Sequence, residues 1–70
     1  MPSTVIRKID YDAKRHEMTV TFVTGRRYVY QNVPQDVVTA FRSAPSRGAF
    51  FNLEIRDEYD YVEIENANGT

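Results

Sequence analysis

Seventy residues with 41% apolar side chains, three glycines and three prolines describe one globular domain and exclude a disordered tail or a collagen-like repeat. No apolar run approaches the roughly 18 residues of a membrane span, and the absence of cysteine excludes a disulfide framework, a thiol nucleophile and a Cys-ligated zinc. The net charge of −1 hides an asymmetry: nine Lys and Arg against five acids give +4 up to Arg56, whereas the last fourteen residues hold five acids and no base.

Taken in chain order, Thr4 to Tyr11 is β-branched and aromatic and predicts a strand that ends at the polar turn Asp12-Ala13-Lys14-Arg15. Residues 17–23 alternate, with Met18, Val20 and Phe22 on one face and Glu17, Thr19 and Thr21 on the other, which predicts a half-buried strand. Strand formers return at 27–31 after a turn at Gly25. Val33-Pro34-Gln35-Asp36 opens the main helix, with Pro34 at the first helical position and Asp36 near the positive end of the dipole. Val37, Val38, Phe41 and Ala44 form its apolar stripe, and Pro45 ends it. Ser46 is expected to cap a second, shorter helix running to about Leu53 with Phe50 and Phe51. Tyr59 to Glu65 alternates again and allows a short last strand, with fraying expected from Asn66 to Thr70. The fold expected is α+β: a small antiparallel three- to four-stranded meander packed against one main helix and a second short helix. A single domain over 1–70, ordered over about 3–65, contains it.

The hairpin register decides which way the central tyrosines point. A two-residue Thr24-Gly25 loop would force β-branched Thr24 to positive φ, whereas a three-residue Val23-Thr24-Gly25 loop asks this only of Gly25. The longer loop sets Phe22 opposite Arg26, Val20 opposite Tyr28 and Met18 opposite Tyr30. Both tyrosines then face the core, with their hydroxyls near its rim. A core this small demands nearly every large apolar residue, so a homodimer or a larger host protein is a second expectation for the domain's partner.

Residues able to do chemistry are few. His16 lies in a polar turn beside Lys14 and Arg15, with no spacing that brings metal or catalytic partners to it. Ser46-Arg47-Gly48 lacks the glycine that precedes the serine of a nucleophile elbow, and the terminal acids do not match a calcium loop. No glycine-rich phosphate cradle is present, so the reading is non-enzymatic, without cofactor or metal. Met1-Pro2-Ser3-Thr4 has no signal-peptide pattern, and a cytoplasmic protein is expected. One constellation remains. Arg26, Arg27, Tyr28 and Tyr30, with Arg42 and Arg47 at the helix ends, place cations beside aromatic rings, as in surfaces that hold single-stranded RNA. The competing reading puts the tyrosines in the core and leaves the arginines to solubilise a hairpin tip.

The order of several short pieces resembles the KTSC domain family over about Ser3 to Ile64. These are Ile9-Asp10-Tyr11-Asp12, Met18 to Phe22, Gly25, Tyr28-Val29-Tyr30, Val33-Pro34 with Phe41, Ser46-x-Gly48-x-Phe50-Phe51-Asn52, Ile55-Arg56 and Tyr59-x-Tyr61. The sequence departs from that pattern at Val37, where an aromatic residue is expected, and in its acidic end. The resemblance implies a small binding module of undetermined function for which RNA has been suggested as ligand. It points to Tyr28 and Tyr30, with Ser46, Asn52 and Arg56 as motif positions.

Overall fold

The computed structural model describes residues 6–64, so the expected strand start at Thr4 and the expected fraying after Asn66 lie outside the described residues. Four antiparallel strands form an open sheet in sequence order: β1 (Ile6–Asp12), β2 (Glu17–Phe22), β3 (Arg27–Tyr30) and β4 (Tyr61–Ile64). Between β3 and β4 come α1 (Gln35–Ser43), α2 (Arg47–Phe50) and a continuing π-helical segment, Phe51–Ile55. The α+β meander with a main and a short helix is the architecture expected from the sequence, with the fourth strand present.

The β2–β3 hairpin has the three-residue loop. Gly25 sits at φ 95°, its N–H donates to Phe22 O at 2.9 Å, and Phe22 N–H donates to Arg26 O at 2.9 Å. Met18 then pairs with Tyr30 and Val20 with Tyr28. Because side chains alternate along a strand, Met18, Val20, Tyr28 and Tyr30 share one face and Thr19, Thr21, Arg27 and Val29 the other. On the first face the helices bring Val38, Phe41, Phe51 and Ile55 to close a core with Met18, Val20, Tyr30, Val33 and Ile6. Among the described residues, no helix packs on the opposite face.

β1 reaches the same core by an irregularity. Ile6 pairs with Phe22, but Lys8 already pairs with Thr21, so one extra residue, Arg7, enters the strand. Without that bulge the odd spacing of Ile6 and Ile9 would send one of them to the bare face. The turn from β3 into α1 is tied to β1 and to the β1–β2 turn: Tyr11 Oη donates to Val33 O at 2.7 Å, and Val33 N–H donates to His16 O at 2.9 Å.

Two local expectations are corrected. Pro34 is the N-cap, not the first helical residue; its ψ of 153° is extended, and its carbonyl accepts from the amides of Val37 and Val38. The second helix is not regular to Leu53. Ser46 caps it as expected, its Oγ accepting from Ala49 N–H at 3.2 Å, but the chain widens into a π turn with Arg56 N–H donating to Phe51 O at 2.9 Å. Along this segment Phe51 and Ile55 are buried and Leu53 is exposed.

Gly25→Val is expected to lower the free energy of unfolding by about 1–3 kcal/mol, because a β-branched residue at that φ is strained. Urea unfolding measures it; an unchanged midpoint would contradict the three-residue loop.

Candidate functional site

Among the clefts of the described residues, one lies beside β3 and β4 and another at the β1 edge, and the residues expected to form one site divide between these and the bare sheet face.

The first cleft lies where the helices stop short of β3 and β4. Its volume is about 380 Å³, and Phe22, Tyr28, Tyr30, Phe51, Arg56, Asp57 and Tyr61 line it. Tyr61 pairs with Tyr30 across the sheet and lays its ring against both central tyrosines, with centroids 5.3 Å from Tyr30 and 5.2 Å from Tyr28. Phe51 meets Tyr30 edge-on at 5.7 Å and Phe22 edge-on at 5.3 Å. These contacts seal Tyr30, which is 2% exposed, whereas Tyr28 is half-buried and Tyr61 remains 51% exposed. The tyrosines therefore face the core side, as the loop parity predicts, and Tyr28 and Tyr61 are the rings a ligand could reach.

The cations expected beside these rings are placed otherwise. Arg27 pairs with Thr21 and Ile64 on the face away from the tyrosines. Arg26 shares their face, close to Tyr28, and lies 4.0 Å from Glu63 in an exposed pair that engages it weakly. Arg56 is exposed at the mouth, next to Asp57. Asn52 is exposed on the π-helical segment and lines neither cleft; Ser46 acts as the helix cap described above. Arg27 thus stands apart, while Arg26, Tyr28 and Tyr30 share one face of the hairpin.

Arg42 and Arg47 do come together, with two residues that sequence reasoning missed. A cleft of about 270 Å³ at the β1 edge is lined by Arg7, Lys8, Ile9, Arg42 and Arg47. The bulge carries Arg7 and Lys8 there, the last turn of α1 brings Arg42, and the start of α2 brings Arg47. Arg42 Nη2 donates to Ile9 O at 3.1 Å, which fixes one guanidinium across the cleft. Lys8 Nζ lies 3.8 Å from Asp10, an exposed pair that competes weakly for the lysine. The odd spacing of Ile6 and Ile9 was the available signal, since it demands a bulge at Arg7-Lys8.

Strand order separates this basic edge from the acids. Three strand spacings of about 4.8 Å put β1 roughly 14 Å from β4, beyond the screening length of about 8 Å at physiological salt. His16 is exposed, as expected, and among the described residues no three His, Cys, Asp or Glu side chains are grouped to hold a metal ion. Among them, too, no helix is long and apolar enough to cross a membrane.

The family model for the KTSC domain matches residues 2–59. The chain belongs to the KTSC domain family. It is similar to a crystal structure of a KTSC domain protein from Yersinia pestis, at TM-score 0.84 and 30% identity over 93% of this chain and 92% of that one. An uncharacterized protein of Stutzerimonas stutzeri is 33% identical over 66 residues, 93% of each chain. A lysine–tRNA ligase of Nostoc punctiforme is 31% identical over 61 residues, which are 87% of this chain and only 11% of that protein. The KTSC domain is a small domain not known as catalytic.

The sealed phenol gives a pH signature. Burial first, then the neighbouring Tyr61 and Tyr28 phenols, pushes the Tyr30 hydroxyl up to about 12, against the opposing pull of Arg56. Burial also raises Tyr59, helped by Asp36. Since the fold favours the neutral phenol, stability is fully present below pH about 10 and is lost as the pH climbs toward 12. Unfolding midpoints followed over that window should fall in the parent chain and fall less in Tyr30→Phe.

Proposed function

We propose that this domain binds RNA, and that it does so through the cleft of Arg7, Lys8, Arg42 and Arg47 rather than through the hairpin tip. The observation that carries the reading is the convergence of these four cations on one cleft, with Arg42 held in place by Ile9 O. Phosphates are the groups such a cleft suits: guanidinium forks match their oxygens, and a pre-positioned guanidinium loses less freedom on contact. The apolar Ile9 beside the guanidinium planes offers a surface for a base or sugar next to the phosphate. Glu63 lies on β4, at the far edge of the sheet from this cleft. The similarity to one short region of a lysine–tRNA ligase supports RNA as the polyanion, since that protein's name states a tRNA substrate.

Binding of this type is electrostatic and salt-sensitive. With three to four cations engaged, affinity for a labelled oligouridylate should fall roughly 20- to 50-fold between about 50 and 200 mM salt. In fluorescence anisotropy, Arg7→Gln combined with Arg47→Gln should weaken binding at least tenfold at low salt and about halve the salt slope. Neither side chain makes a described hydrogen bond, so the fold should tolerate the pair. Arg27→Gln should leave affinity within about twofold. No binding at low salt, or an equal loss in Arg27→Gln, contradicts the assignment.

A further inference from the structure

The aromatic cleft lies beside a strand edge whose hydrogen-bonding groups no described strand engages. Gln31 N–H donates to Asp60 O at 2.9 Å, which sets the phase of the β3–β4 ladder. In an antiparallel pair the bonded positions alternate. Val62 and Ile64 therefore bond inward to β3, and Tyr61 and Glu63 turn their N–H and C=O groups outward. No strand among the described residues pairs with that edge.

The two edges of the sheet are treated differently. β1 carries a bulge, the charged side chains of Lys8, Asp10 and Asp12, and Arg42 seated on the Ile9 carbonyl, all of which discourage a further strand. Among the described residues β4 has neither a bulge nor a side chain seated on its edge, and it carries the single charge of Glu63. Tyr61 and Val62 are 51% and 54% exposed, and Glu63 lies 4.0 Å from Arg26. An edge left open in this way is a template for strand addition.

We infer that β4 receives an extended segment of another protein as a fifth strand, with a lysine or arginine of that segment entering the aromatic cleft. Period two places every second residue of an added strand on the face of Tyr61 and Glu63, where the cleft opens. The chemistry of the cleft and its surroundings selects the occupant. From Phe51 to Ile64 the chain has five acids, Glu54, Asp57, Glu58, Asp60 and Glu63, against the single base Arg56. The accessible rings of Tyr28 and Tyr61 present faces that attract a cation, and Asp57 lies in the wall. A second copy of this chain is the wrong occupant for that edge, because pairing two β4 strands would set side by side two copies of a stretch, 57–64, that holds four acids and no base. This surface is separate from the basic cleft, so one domain can hold RNA and a protein segment at once.

The test is selection from a phage-displayed random dodecapeptide library against the immobilised full chain, followed by amide shift mapping with the selected peptides. Enriched peptides should combine strand-forming residues with a Lys or Arg, and their addition should shift the amides of Tyr61 and Glu63 first. Tyr61→Ala should weaken them at least tenfold by removing a ring face. Glu63→Pro should do the same by deleting one outward N–H, and it costs no ladder bond within the sheet. Unchanged oligouridylate binding by both variants would show that they fold. Failure to enrich any peptide, enrichment of acidic sequences, equal binding by Glu63→Pro, or a concentration-dependent dimer that occupies β4 would each overturn the proposal.

Discussion

A single glycine at positive φ determines how the surfaces of this domain are distributed. Gly25 closes a three-residue loop, and the loop's parity pairs Val20 with Tyr28 and Met18 with Tyr30. One residue fewer would turn both tyrosines onto the bare face, empty the core beneath Phe51, and bring Arg27 inward. The register thus decides the packing of the helices, the sealing of Tyr30 and the side of the sheet on which each arginine stands.

From that arrangement follows a division of labour between the two edges. The clefts at these edges differ in chemistry. At β1, the bulge and the ends of α1 and α2 bring Arg7, Lys8, Arg42 and Arg47 to one cleft, the surface proposed for phosphates. At β4, aromatic rings with Arg56 and Asp57 lie beside an edge that no described strand covers, the surface proposed for an added strand. The near-zero net charge of the chain conceals this, since the basic and acidic groups cancel in the sum and not in space.

The large features were legible in the sequence because each rests on a local rule. Thr24 resists positive φ and Gly25 does not, which is enough for the register. Ser46 has the side chain a helix cap needs, and the alternation around Tyr61 marks β4. What escaped local rules depends on tertiary packing. The π turn over Phe51–Ile55 is one such feature, and no propensity encodes it. Pro34 shifted by one position because it serves as the cap, with an extended ψ. The split of the arginines was half legible: the parity that sends Tyr28 inward also sends Arg27 outward. The pairing of Arg26 with Glu63 and the meeting of Arg7 with Arg47 required the folded chain.

The central claim is that RNA is held at the basic edge and not at the hairpin aromatics. Mapping amide shifts of the labelled chain on addition of an oligouridylate tests it most directly. Perturbations centred on Arg7, Lys8, Ile9, Arg42 and Arg47, with Arg26 to Tyr30 quiet, are the predicted result. Perturbations centred on Arg26, Arg27, Tyr28 and Tyr30 would contradict it.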